Sequence, residues 1–349
     1  MKTASRSAPP LLALSMGDPA GIGPEVILKS AAALRGLRDA PALIVVGDLG
    51  AMRASAARLK HVPRVCEWRA GDAPVRLGDG LGVLSASSLP ARAMQPGRPT
   101  VDGGGAAYDY IVAGAKMAMR GEVDALVTAP ISKEWMNRAG HRYAGHSELL
   151  ASLSRTKRWR MMFCGGELTI ALVTVHMGLS KVSRALTQTR VLDTIRLLTT
   201  HLRTAMGVAR PRIGVLGFNP HAGENGMFGD EEIRVIAPAI ARARRARIDA
   251  FGPLAPDTAF ARPTGRFNFD AAVAMYHDQG LIALKTLEFE RAVNVTIGLP
   301  FIRTSPDHGT AFDIAAKGIA NPSSMLAAIR YAARAASARR ERAGRAAAA

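Results

Sequence analysis

Apolar residues along the chain fall into short β-rich runs separated by longer segments of helical spacing. The runs Leu11–Met16, Ala42–Val46, Ala125–Thr128, Thr169–Val175, Ile213–Phe218, Ala272–Met275, Leu281–Leu284 and Val293–Ile297 read as strands. Between them Pro24–Ala33, Ala106–Met119, Ser180–Met206 and Glu231–Ala246 read as helices. Strand then helix, repeated, predicts an α/β protein with a largely parallel sheet. Nearly every strand ends in a small or polar cluster: Gly17-Asp18-Pro19, Gly47-Asp48, Thr128-Ala129-Pro130, His176, Asn219-Pro220-His221 and His277-Asp278. Ligands gather outside the carboxyl ends of such strands, where loops and helix amino termini converge, so these clusters are candidates for one site.

Composition narrows the picture. The 349 residues carry 46 Lys+Arg against 28 Asp+Glu, a formal net charge of +18 that invites a polyanion partner. Against that partner, the 37 Arg are dispersed among alanines, and the stretch Arg330 to Ala349 alone holds six Arg against one Glu, reading as a solvated tail. The chain is also only 5% aromatic and has no stacking stripe, so nucleic-acid binding is not expected. No run approaches the ~20 apolar residues of a membrane span. Leu11–Met16, behind Lys2 and Arg6, is too brief for a signal peptide and lacks a cleavage site. A cytoplasmic protein with no membrane partner is predicted. Cys66 and Cys164, far apart and each in or beside an apolar run, read as small buried hydrophobes.

Histidine placement carries the chemistry. His176, His221 and His277 each follow an apolar strand, and three neutral imidazoles meeting at one point would hold a divalent metal with positions open for substrate or water. His61, His141 and His201 lie in helical or loop surroundings and are read as structural. In Gly145-His146-Ser147-Glu148 a hydroxyl, an imidazole and helix-start N–H groups form a candidate anion site. Lys285, Asn294 and Arg303 each interrupt an apolar stretch, where a substrate carboxylate or phosphate is a natural partner; Asp257 is a candidate salt-bridge partner or substrate contact.

Five segments together carry a specific likeness: Gly17-Asp18-Pro19-Ala20-Gly21-Ile22-Gly23-Pro24-Glu25, Thr128-Ala129-Pro130-Ile131-Ser132-Lys133, Gly145-His146-Ser147-Glu148, Asn219-Pro220-His221-Ala222-Gly223-Glu224 and Tyr276-His277-Asp278-Gln279-Gly280. From about Leu11 to about Ala332 the chain resembles the 4-hydroxythreonine-4-phosphate dehydrogenase family of pyridoxal phosphate biosynthesis. The stretch from His308 to Pro322 is similar to the adenosine-binding loop of isocitrate and isopropylmalate dehydrogenases, which bind NAD(P) without a Rossmann fingerprint; Gly21-Ile22-Gly23 is only a fragment of that fingerprint.

The resemblance implies a three-layer α/β/α fold of isopropylmalate dehydrogenase type, with the active site in a cleft between two lobes. The lobes are expected at residues 10–135 plus 288–335, with the dinucleotide loop, and 136–287, with metal ligands and dimer interface; an Arg/Ala-rich tail spans 336–349. It implies His176, His221 and His277 as ligands of one divalent ion (Zn, Co, Mg or Mn), in a site completed by both subunits of a homodimer. His146, Ser147, Asp257, Lys285, Asn294 and Arg303 are implied substrate contacts, with Lys285 and His146 catalytic. His146 and Ser147 would take the phosphate, and Ser147 stands where the family usually has Thr. His308, Gly309, Asp313 and Asn321 are implied to bind the cofactor. Asp313 would accept from a ribose 2′-hydroxyl and repel a 2′-phosphate, favouring NAD over NADP. The implied reaction is metal-dependent oxidation of 4-phosphooxy-L-threonine by NAD, then decarboxylation. Alternatives are a related dehydrogenase acting on 4-phospho-D-threonate or erythronate, one acting on an aromatic-degradation cis-dihydrodiol, a phosphotransacetylase-like acyltransferase, and a nucleic-acid-binding protein.

Overall fold

The computed structural model describes residues 8–262 and 265–347; Lys2 and Arg6, and the end of the tail at 348–349, lie outside the described residues. Among the described residues the chain forms β1 (Leu11–Ser15), β2 (Ala42–Gly47), β3 (Val65–Glu67), β4 (Leu81–Ser85), β5 (Ala125–Thr128), β6 (Arg160–Cys164), β7 (Thr169–Leu172), β8 (Ile213–Leu216), β9 (Ala250–Leu254), β10 (Ala271–Ala274), β11 (Val293–Ile297) and β12 (Ile302–Pro306). Helices alternate with them, as an α/β protein requires. Two compact units result: residues 1–155 with 299–349, and residues 156–298. Residues 136–155, expected in the second unit, belong to the first, and residues 288–298, expected in the first, belong to the second.

The first unit orders its strands β3-β4-β2-β1-β5-β12, all parallel. β1, β2 and β5 are nearly unbroken apolar runs because a parallel strand is covered on both faces. The helix Val101–Arg120 starts earlier than the expected Ala106 and runs through Gly103-Gly104-Gly105. Glycine costs a helix about 1 kcal/mol per residue, and packing supplies the reason: a Cβ on Gly104 would lie 2.4 Å from the Trp135 backbone. The Arg-rich end continues the helix Ser323–Ala347. Arg340 is anchored there on Asp124, at 2.5 and 2.6 Å, and Arg339 donates to the Pro300 carbonyl, so that stretch is not simply a solvated tail.

The second unit orders its strands β11-β6-β7-β10-β8-β9. The sheet is largely parallel as expected, with one exception: β6 runs antiparallel to β7, which it joins through a turn at Gly165-Gly166, and to β11. The expected strand Leu281–Leu284 is instead part of the helix His277–Glu288. Four apolar residues fit either period; the helix wins because Leu281 and Leu284 share the buried face while Ile282 is 67% exposed. The long candidate Ser180–Met206 is broken before Gln188, where the Thr187 hydroxyl caps a new helix by accepting from Arg190 N at 3.2 Å. β3, β4, β6, β9 and β12 escape sequence reading because they are short or carry Gly, Pro or Arg. Cys164 is buried, whereas Cys66 is only half-buried.

Candidate functional site

In the second unit β7, β10 and β8 are consecutive parallel neighbours, so their carboxyl ends share one sheet edge. His176, His277 and His221 follow these three strands in that order. The strand ends are tied together: Thr174 Oγ1 donates to the Met275 carbonyl at 2.7 Å, Gln279 Oε1 accepts from Met275 N at 2.6 Å, and Gln279 Nε2 donates to the Gly217 carbonyl at 2.7 Å. The rings of His176 and His277 stand 5.9 Å apart, centroid to centroid, in a cavity of about 430 Å³ rimmed by Met177, Leu179, Tyr276 and Ile282. His277 Nδ1 lies 2.7 Å from Asp278 Oδ1, a contact that orients the ring through Nδ1, as the outer partners of metal-binding imidazoles do.

His221 arrives differently. It opens a run of left-handed residues, His221, Ala222, Gly223, Glu224 and Asn225, with φ of 52°, 54°, 83°, 41° and 55°. Each non-glycine residue in that conformation costs about 1–2 kcal/mol. Its ring is 6.1 Å from that of Phe228. Among the described residues no group of three His, Cys, Asp or Glu side chains is close enough to hold a metal ion within the single chain, while the rings of His176 and His277 are neighbours. Lys285 lies on the helix that His277 begins, its Nζ 5.7 Å from the Phe289 ring centre. Asn294 on β11 has a buried Oδ1 without a hydrogen-bond partner, and Asp257 sits exposed in a turn.

The first unit builds a cationic cluster. Arg303, on β12 and 1% exposed, donates from Nη2 to Thr128 Oγ1 at 2.7 Å. Burial pushes its guanidinium down to about 9, against the pull of Glu148. His146 begins the helix His146–Leu153, and Ser147 behind it is buried. Desolvation, then the charges of Arg303 and Lys133, hold the His146 imidazole well below its ordinary value despite a hydrogen bond to the Ala129 carbonyl. His146 is therefore neutral, with its proton on the Ala129 side and a buried Nε2 that has no protein partner. Such a nitrogen is able to accept from a hydroxyl. Thr128 and Lys133 were passed over as site residues although the Thr128-to-Lys133 motif contains both.

The loop from His308 to Pro322 is docked on the Gly17-to-Glu25 segment. Ile22 N donates to the Thr310 carbonyl, Lys29 Nζ to the carbonyls of Gly318 and Ala320 at 2.8 Å each, and Ala320 N to Glu25 Oε1 at 2.9 Å. His308 Nε2 is buried without a partner, and Asp313 is exposed. Asn321 Oδ1 is engaged by Ser323 N at 2.9 Å, at the start of the last helix.

Asp18 in the same segment is fully buried; its Oδ1 accepts from Ala20 N at 3.0 Å and its Oδ2 has no partner. Burial pushes the carboxyl from 3.8 up to about 6, against that hydrogen bond. The folded protein thus holds this proton more tightly than the unfolded chain, so the group's contribution is favourable below 3.8 and is lost as pH rises through 3.8 to about 6. Asp18→Asn keeps the acceptor for Ala20 N and removes the loss. It is expected to gain up to about 3 kcal/mol over wild type near pH 7 and little near pH 4 in urea melts. An equal effect at both pH values would contradict the assignment.

The family profile of pyridoxal phosphate biosynthetic protein PdxA matches residues 39–332. A 4-hydroxythreonine-4-phosphate dehydrogenase of Geobacter metallireducens is 48% identical over 93% of this chain and 95% of its own. A D-threonate 4-phosphate dehydrogenase of Salmonella typhimurium is 42% identical over 92% of this chain and 97% of its own. The crystal structure of 4-hydroxythreonine-4-phosphate dehydrogenase from Klebsiella pneumoniae superposes with a TM-score of 0.81, at 42% identity, covering 94% of this chain and 99% of that one. With a profile spanning most of the sequence, and relatives matched nearly end to end, the chain belongs to the PdxA family.

Proposed function

We propose that the chain oxidises 4-phosphooxy-L-threonine with NAD, the β-keto acid then losing carbon dioxide to give 3-amino-2-oxopropyl phosphate for pyridoxine 5′-phosphate synthesis. The observation that carries this reading is the His176–His277 pair at 5.9 Å on adjacent strand ends, with His221 following the third strand. The donor set suits a divalent cation: imidazoles at one sheet edge, His277 with its ring oriented by Asp278. Imidazole favours zinc or cobalt, while open positions filled by substrate oxygen also admit magnesium or manganese. The residues of 308–322 suit a dinucleotide, with a buried unpartnered His308 Nε2 and Asp313 exposed to meet a ribose hydroxyl. A bound cation would lower the pKa of the secondary alcohol and stabilise charge left by decarboxylation, and NAD would supply the hydride acceptor.

The chain's own groups supply orientation and proton handling. His146 Nε2 accepts the proton of the substrate hydroxyl. Arg303, fully buried and charged, holds the carboxylate, and Ser147 supplies a hydroxyl to the substrate. Lys285 returns a proton to the carbon from which carbon dioxide has left, and Asn294 and Asp257 complete the substrate contacts. Lys133 adds a second cation for an anionic group.

Eight of the twelve large apolar side chains exposed among the described residues lie within 156–298. Met177, Leu179 and Ile282 among them rim the cavity of His176 and His277, which supports a homodimer whose second copy covers this rim. A cytoplasmic location goes with a soluble phosphorylated substrate and NAD. Among the described residues no helix is long and apolar enough to cross a membrane.

NADH formation from 4-phosphooxy-L-threonine, 4-phospho-D-threonate and a cis-dihydrodiol tests the substrate. The first should give the highest kcat/KM; preference for an unphosphorylated diol would sink this choice. Chelation should abolish turnover with all three.

A further inference from the structure

We infer that Glu232 is the positioning residue for His221: its carboxylate locks the backbone that leads into the left-handed turn carrying this imidazole. The inference rests on the reading of His221 as a metal ligand.

A run of left-handed L-residues does not hold itself. Such backbone persists where the surroundings over-determine it, and it collects at functional sites. His221 to Asn225 all have φ between 41° and 83°, and only Gly223 among them is free of the Cβ penalty. The chain enters this turn extended, with Asn219 at φ −90° and ψ 163°, as the residue before Pro220 must be.

What fixes the entry is one side chain. Glu232 is 4% exposed, at the head of the π-helical turn Glu232–Ile236. Its Oε1 accepts from Phe218 N at 2.6 Å and Asn219 N at 2.8 Å, and its Oε2 accepts from Asn219 Nδ2 at 2.9 Å. Three donors on two consecutive residues leave the segment before His221 little rotational freedom. Two glycines make room for this wedge. A Cβ on Gly217 would stand 2.8 Å from Ala222 Cα and 3.2 Å from Glu232 Oε1; one on Gly223 would stand 2.8 Å from Glu232 Oε2. The carboxylate therefore sits between the end of β8 and the left-handed turn, touching both. Glu231 adds a second brace, accepting from the same Asn219 amide at 2.7 Å and from Ser183 Oγ at 2.6 Å. A π-turn places two consecutive carboxylates on one loop, and such turns recur at functional sites.

A carboxylate that only stabilised its helix would, on removal, lower the melting temperature and leave metal affinity alone. A carboxylate that positions a ligand changes affinity and the coordination it reports. The test uses the full-length, metal-stripped protein titrated with Co²⁺, read by calorimetry and by the visible absorption of bound Co²⁺. Glu232→Gln keeps one oxygen acceptor but turns a donor towards Asn219 Nδ2, and Glu232→Ala removes all three bonds.

Both variants should bind Co²⁺ roughly 10- to 100-fold more weakly, the range seen when groups that orient metal ligands are removed, with Glu232→Gln the milder and an altered visible band. Wild-type affinity and spectrum in Glu232→Gln would overturn the inference, whatever Glu232→Ala does to folding. His221→Ala separates the two levels. If it also binds Co²⁺ normally, the metal reading has failed; if it loses Co²⁺ while Glu232→Gln does not, only the positioning role has.

Discussion

Replacing Arg303 by methionine is expected to lower kcat/KM for the phosphorylated substrate by ~30- to ~4000-fold, mostly through KM. That range follows from the loss of about 2–5 kcal/mol on truncating one partner of a buried, hydrogen-bonded charge pair, at ~1.4 kcal/mol per factor of ten. The side chain is fully buried on β12, fastened to Thr128 Oγ1, with Glu148 as its nearby counter-charge. Methionine of similar length leaves Glu148 without that charge and the substrate carboxylate without its fork, so a lower melting temperature should accompany the kinetic loss. Arg303→Lys keeps the charge but not the planar pair of donors, and should recover only part of the activity. Full activity in Arg303→Met would remove this residue from the site.

The second large effect concerns the histidines. His277→Ala is expected to reduce NADH formation by at least ~10³-fold and to lower bound metal, since a cation acting on the reacting oxygen is worth several kcal/mol. His176→Ala should do the same, because its ring is the neighbour of His277 at 5.9 Å. Asp278→Asn should be milder: the ring loses a charged partner for Nδ1 but keeps an acceptor, and changes of this kind cost roughly 10- to 100-fold in metal affinity or activity. Equal losses in all three variants without a change in metal content would point to damage of the β7–β10 edge rather than to loss of a ligand.

Much of this was legible along the chain because strand ends and ligands coincide in α/β sheets. β5 and β11 were bounded as they occur, and the three histidines were placed on strand ends that proved to be consecutive neighbours in the sheet. The order β7-β10-β8 was not readable, since no local pattern records which strands pair. The antiparallel β6 escapes because Arg160 opens it, and the helix from His277 is hidden because the apolar run Leu281–Leu284 fits both periods and reads as a strand. The charge state of His146 was invisible for another reason: it depends first on burial and then on charges that include Arg303, far away in sequence. The left-handed turn at His221 has a glycine signal only at Gly223, so its strain, and the Glu232 wedge beside it, required the structure.

The proposed reaction is a metal-dependent, NAD-linked oxidation of a phosphorylated substrate at the histidine edge. Its most direct test is NADH formation from 4-phosphooxy-L-threonine by the chelator-stripped protein before and after a divalent cation is returned. No NADH is expected before the addition, and turnover after it. An unchanged rate in the stripped protein, or none with any of zinc, cobalt, magnesium or manganese, would contradict it.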